Sequence, residues 1–306
     1  MSHKQRIRGV SLIELLVAVT IGGLLIFGAT QVYVDSRNAY EVNETAARLQ
    51  ETARYALSVV EPDLRMSNYW GLVKGAGLVT NQALRTEASA GPPMNCGNNF
   101  AHDLMLNIEG TNGSSTFACI AYRSNAVTDA DTLTVRRASV APADAATNRL
   151  KICSTRIMGE LVNNSAGCTG APAGQVNDLI VNSYYVSQNS TGQPGIPSLR
   201  RVALVAGPAF SDEEIIPGVE VMQIQFGVDP TGMDGRATKY VNPDAVDVSE
   251  QIISVRIWLL VRSETTEVGF VDGRTYTYGD RTYTPNDGFR RLLISRTIQV
   301  RNALGT

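Results

Sequence analysis

Hydrophobic and polar positions divide the chain into three regimes. Residues 10–34 form a nearly unbroken apolar run whose one charge is Glu14. As a helix, these 25 residues would extend about 37 Å, enough to cross a hydrocarbon layer of about 30 Å. From Asp35 the run gives way to a stripe. Ala39, Val42, Ala46, Leu49, Ala53, Ala56 and Val60 recur at steps of three and four. Arg37, Glu41, Glu44, Arg48, Glu51 and Arg54 fall on the other faces, and Glu44 with Arg48 forms a favourable i,i+4 pair. Pro62 removes a backbone donor, which predicts a helix end near Val60. The expectation is one long helix over about residues 10–61, apolar all round in its first half and amphipathic in its second.

Beyond the helix the period changes from 3.6 to 2. Ile253, Val255, Ile257, Leu259 and Val261 alternate with mixed partners, as do Met222, Ile224, Phe226 and Val228, and Leu292, Ile294, Ile298 and Val300. Candidate strands are Thr116–Arg123, Asp131–Arg137, Asp178–Val186, Leu199–Val205, Val219–Val228, Glu250–Arg262 and Arg291–Arg301. No helical pattern separates them, so antiparallel pairing is expected and the fold class is α+β. Long polar connections at 72–115, 138–177, 229–249 and 264–289 hold most of the turn chemistry. The tract Gly273–Tyr283, with Tyr276, Tyr278 and Tyr283, reads equally well as a partner-binding hairpin or as an excursion between two strands. Tyr69, Trp70 and Gly71 read as a core anchor where helix meets sheet.

Composition narrows the function. Among 306 residues, 43% are hydrophobic and 18% charged, which excludes a wholly disordered chain and a polytopic membrane protein. The net charge of −2 gives no electrostatic argument for nucleic acid. With two histidines, His3 and His102, a histidine-centred active site or multi-histidine metal site is not expected. Lys4, Arg6 and Arg8 before the apolar run, and Asp35 after it, place the N-terminus in the cytoplasm and the rest outside. A secretory signal peptide has a shorter apolar core and a small-residue cleavage site after it. An ordinary single-pass anchor leaves Glu14 unexplained.

The residues Arg8-Gly9-Val10-Ser11-Leu12-Ile13-Glu14-Leu15-Leu16-Val17-Ala18 resemble the type IV prepilin leader and methylation motif. The run from Arg48 to Leu57, followed by Asp63 to Gly71, is similar to the helix and post-helix segment of the PilW family of minor pilins. The resemblance covers residues 4–71 well and is weaker over 250–301. It implies a leader at 1–9, a transmembrane and assembly helix at 10–34, its amphipathic continuation at 35–61 and a periplasmic β-rich head at 62–306. Prepilin peptidase would cut between Gly9 and Val10 and methylate Val10. Glu14 would meet the α-amine of a neighbouring subunit. The implied partners are other minor pilins, the major pilin and the inner-membrane assembly platform, with a later place in the pilus at the cell surface. The implied role is priming of assembly near the fibre tip, in support of twitching motility or attachment. Alternatives are a type II secretion pseudopilin and a tip adhesin using the head loops. Ser11 and Glu14 also satisfy the spacing of a capping box, a purely local reading of the same acid.

Cys96, Cys119, Cys153 and Cys168 have neither zinc spacing nor neighbouring histidines. In an exported chain they read as two disulfides, and nearest-neighbour pairing is the simplest of three connectivities. No nucleophile elbow, zinc-protease or phosphate-loop motif occurs, and no cofactor is expected. The chain is therefore not expected to be an enzyme. Asp129, Asp131, Asp229, Asp234, Asp244 and Asp247 could group around calcium as loop ligands, but they lack EF-hand spacing and read as solvated acidic loops. Arg136-Arg137, Arg200-Arg201 and Arg290-Arg291 read as solvated or salt-bridged strand ends.

Overall fold

The long helix α1, Leu12–Met66, continues through Pro62. The structure, a computed structural model, describes residues 10–84, 87, 96, 99–113, 125–143, 147–163, 174–230, 235–247 and 250–303. The chain divides into two compact units, Met1–Arg48 and Leu49–Thr306, the second of which begins inside the helix. The apolar stripe is buried from Leu49 through Ala53, Ala56, Val60 and Leu64, whereas Ala39 and Ala46 stay exposed.

The helix ends at Met66, five residues past the expected Glu61, because contacts beyond Pro62 hold the last turn. Leu64 is fully buried, and Asp63 receives four side-chain hydrogen bonds from the larger sheet. Arg65 pairs with Glu61 one turn back. These bonds offset the donor that proline lacks.

Among the described residues the head contains fourteen strands: β1 Val79–Thr80, β2 Ile108–Thr111, β3 Thr132–Pro142, β4 Lys151–Ser154, β5 Gly159–Val162, β6 Gln175–Ser187, β7 Ser198–Val205, β8 Ala209–Pro217, β9 Val219–Asp229, β10 Lys239–Val241, β11 Gln251–Arg262, β12 Tyr276–Tyr278, β13 Arg281–Tyr283 and β14 Arg291–Gln299. Eight form one sheet, β1-β5-β4-β6-β3-β2, with β7 added beside β6 and β8 beside β7. Strand β6 is long enough to pair β3 along one edge while β4 and β7 share the other. The second sheet runs β10-β9-β11-β14, and β12-β13 is a separate hairpin. Pairing is antiparallel except at β1 and β5, where Val79 lies beside Gly159 and Thr80 beside Glu160 in parallel. The expected strand Thr116–Arg123 lies outside the described residues.

Two apolar cores result. The main one joins the second half of α1 to Leu133, Val135 and Tyr184 of the larger sheet and to Met222, Ile224, Phe226, Val255, Ile257 and Leu259 of the smaller. The second covers the opposite face of the larger sheet, where Trp70, Val73, Phe100 and Leu104 meet Leu179, Val181 and Tyr185. Trp70 is fully buried, as a core anchor requires, and its indole N–H donates to Asn68 Oδ1 at 2.8 Å.

Gly71 makes the turn from helix to sheet at φ +81°, and a Cβ there would stand 2.3 Å from Ser154 Oγ. That hydroxyl is already accepting the Leu72 N–H at 2.9 Å. Gly71→Ala should therefore cost about 2–4 kcal/mol, from left-handed strain plus overpacking. Denaturant unfolding checks this, and a loss under about 0.5 kcal/mol would show that the turn relaxes freely.

Of the two readings of the arginine pairs, the salt-bridged one holds: all six arginines meet a carboxylate. Alternation along each strand turns one member inward. Arg136 is fully buried in β3, bonding the Phe100 and Leu106 carbonyls and Glu109. Arg200 pairs with Asp212 and Glu214, and Arg291 with Glu220 and Asp287. The hairpin β12-β13 does form, but Tyr276 and Tyr278 point into the main core. Their burial favours the excursion over the partner-binding reading.

Candidate functional site

The N-terminal unit carries the features that set this chain apart from a soluble head. Ser11 stands at the N-cap of α1, and its Oγ accepts the Glu14 N–H at 3.2 Å. The capping box is thus half formed, since among the described residues the Glu14 carboxylate has no partner. Around it Val10, Leu12, Ile13, Leu15, Leu16 and Val17 are all exposed. Exposure continues through Ile21, Leu24, Leu25, Ile26 and Phe27 to Val32 and Tyr33. The segment is long and apolar enough to cross a membrane.

Among the described residues of this unit, nothing hides the apolar groups. Thr20 and Thr30 turn their hydroxyls back onto helix carbonyls at 2.8–3.0 Å, which keeps their polar atoms off the apolar exterior. A Cβ at Gly22, Gly23 or Gly28 would meet nothing within 4 Å, leaving three shallow places for another helix to approach. After Asp35 the exposed face becomes ionic, with Arg37–Glu41 at 3.2 Å and Glu44–Arg48 at 2.7 Å. Gly9, the expected last leader residue, lies outside the described residues, as do Cys119 and Cys168. Cys96 and Cys153 are disulfide-bonded, and Cys153 is fully buried in β4.

Asp63, which sequence reasoning passed over, joins α1 to the larger sheet within the head. Its Oδ1 accepts from Arg137 Nε and a terminal guanidinium nitrogen at 3.0 and 2.7 Å. Its Oδ2 accepts from Asn182 at 2.6 Å and the Tyr184 hydroxyl at 2.7 Å. Burial, with the Asp63 charge beside it, holds the Tyr184 hydroxyl well above the ordinary tyrosine range.

The acidic loop positions do not converge. Among the described residues no three His, Cys, Asp or Glu side chains gather as a metal site. Asp234 lies outside them, and Asp229 is buried, accepting the Gly235 N–H at 3.2 Å. Asp131, read as a solvated loop acid, is instead buried and accepts the N–H groups of Gly113 at 2.9 Å and Ile224 at 2.8 Å.

Burial pushes the Asp131 carboxyl up to about 6, against the opposing pull of those two donors. The native state therefore holds a proton that the unfolded chain releases. This group's stabilising contribution is complete below about pH 4 and is lost as pH rises through about 6. Unfolding Asp131→Asn beside the parent at pH 4.5 and 7.5 tests it. The parent's advantage should shrink on the order of 2 kcal/mol at the higher pH, and an unchanged gap would refute the assignment.

Comparison with known proteins bears on the two ends of the chain. A family model described as Type IV Pilus-assembly protein W matches residues 183–302, and the prokaryotic N-terminal methylation motif matches residues 4–30. Among solved structures, a type IV-like pilin from Thermus thermophilus aligns over 84% of this chain and 97% of its own, at 14% identity and a TM-score of 0.39. No curated protein matches the chain. The methylation-motif match covers the capped helix start with Glu14, and the PilW match covers β7–β14 with the end of β6. With a methylation motif heading an exposed apolar helix and a PilW match over the second half of the head, the chain resembles the type IV minor pilins of the PilW family in both regions.

Proposed function

We propose that the chain is a prepilin held in the inner membrane by residues 10–34, cut between Gly9 and Val10, methylated on Val10 and passed into a type IV pilus. There it acts with other minor pilins and the major pilin to prime assembly at the tip, in support of twitching motility or attachment. The observation that carries this reading is Glu14, a carboxylate without a partner among the described residues, one turn inside an apolar helix exposed on all sides. Leaving such an acid in hydrocarbon costs about 2.5–3.5 kcal/mol at the centre of a membrane helix, so a partner cation is favoured. The new α-amine of a neighbouring subunit supplies one. A head of some 240 residues would also crowd a regularly repeating shaft, and that crowding is relieved at an end.

Mass spectrometry of sheared fibres tests the reading. The expected result is this chain among the fibre proteins, beginning at methylated Val10. A mature chain starting at Met1, or beyond residue 27, would overturn it. Deleting the gene separates the alternatives. Loss of surface pili supports priming, normal pili with lost attachment supports an adhesin, and lost exoprotein release supports a pseudopilin.

For the cysteines we propose the pairs Cys96–Cys119 and Cys153–Cys168. Non-reducing peptide mapping should recover both linked peptides, and any crossed pair would disprove the assignment. Reduction should lower head stability by about 3 kcal/mol for the Cys153–Cys168 loop on the chain-entropy account.

A further inference from the structure

Beside the last turns of α1 lies an open groove of about 370 Å³, walled by Ser58, Pro62 and Met66 and edged by Glu61, Arg65 and Arg301. Its charges do not balance. Among the described residues Glu61 is the one acid lining the groove. Its side chain is only 12% exposed, and it is shared by Arg65 and by Arg296 of β14, the latter at 2.9 Å. Arg65 and Arg296 nevertheless stay 45% and 53% exposed. Arg301 is exposed too, tied to the helix end through its backbone N–H, which donates to the Arg65 carbonyl at 3.3 Å. No partner to its guanidinium occurs among the described residues. Three guanidinium groups thus face one carboxylate, on a chain whose net charge is −2.

A single cation is enough to answer the carbonyls at a helix C-terminus. Three exceed that need, and each guanidinium offers five donors in a planar fork suited to carboxylates. Between them Pro62 and Met66 give the groove an apolar floor. This combination fits a protruding protein segment that brings acids around an apolar side chain. We infer that the groove docks an acidic segment of a neighbouring pilin subunit, whose carboxylates meet Arg65, Arg296 and Arg301. The inference rests on the proposed place of the chain in a pilus and names the chemistry of one partner surface.

The test uses the full chain in its native host, with a photo-crosslinking amino acid at Met66 and mass spectrometry of the linked peptide. The expected product is a pilin-subunit peptide rich in Asp or Glu. Its yield should fall roughly tenfold or more in R65E/R301E and stay near parent level in R65K/R301K. Unchanged unfolding midpoints of both variants would exclude misfolding as the cause. Crosslinks to lipid alone, to a peptide without acids, or of a yield indifferent to charge reversal would overturn the docking site. In those cases methylated Val10 in sheared fibres would leave the pilin reading standing. A chain absent from the fibres and unmethylated would remove that reading and this inference together.

Discussion

Asp63→Ala is expected to destabilise the head by about 3–5 kcal/mol, because it strands a buried cation and two polar side chains at once. The Asp63 side chain is 7% exposed and that of Arg137 is 14% exposed. Four donors converge on two carboxylate oxygens: two from Arg137, one from Asn182 and one from Tyr184. Water cannot readily replace them there, so Arg137 keeps its desolvation penalty without its counter-charge. Asp63→Asn preserves the volume but sets an amide N–H₂ against the guanidinium, and about 2 kcal/mol should be lost. The double change Asp63→Leu with Arg137→Met removes both charges and should recover the part of the loss due to the stranded guanidinium, leaving the cost of the Asn182 and Tyr184 donors.

Guanidinium unfolding of the full chain in detergent measures these effects, with the tryptophans Trp70 and Trp258 as probes. Amide exchange should locate the damage in the helix turn that follows Pro62, since Asp63 and Leu64 hold it in place. A loss below about 1 kcal/mol for Asp63→Ala would mean that packing alone fixes the helix end.

That helix end also marks where sequence reasoning stopped being sufficient. Pro62 correctly lowers local helix propensity, but its effect is overridden by partners at Arg137, Asn182 and Tyr184, some 75 to 120 residues away. Strands β9 and β11 were legible because their inward residues, Met222 to Val228 and Ile253 to Val261, alternate without interruption and are all buried. Strand β8 was not, because Asp212, Glu213 and Glu214 in succession break any apolar alternation. It is held by cross-strand pairing with Arg200 and Arg201 of β7, which no local pattern reveals. Buried arginines escaped for the same reason. Charge argues for solvent until a specific carboxylate, such as Glu220 for Arg291, is known to lie opposite.

The candidate site divides in the same way. Glu14 is visible in the sequence because it is the one charge in a 25-residue apolar run, and its chemistry needs only its own neighbours along the helix. The groove at the far end of α1 needs Arg65, Arg296 and Arg301 together, and these meet only through the pairing of β14 with β11 and the return of the chain to the helix end.

Glu14→Gln should leave leader cleavage intact and reduce recovery of the chain in sheared fibres by tenfold or more. A carboxylate held near an apolar helix start is worth keeping only if a cation meets it, and the differential cost of about 2.5–3.5 kcal/mol sets the scale of the effect. Glutamine retains the length, the backbone N–H that Ser11 accepts at 3.2 Å and the side-chain acceptor that could complete a capping box. Only the charge is lost. Ser11→Ala does the reverse, removing the cap at about 1 kcal/mol of helix stability while keeping the carboxylate, and it should enter fibres at near-parental levels. Immunoblots of membrane and sheared fractions, with methylated Val10 confirmed in each, separate a failure of processing from a failure of docking. Equal recovery of Glu14→Gln and parent would assign this acid to the helix cap and leave subunit docking to the apolar surface alone.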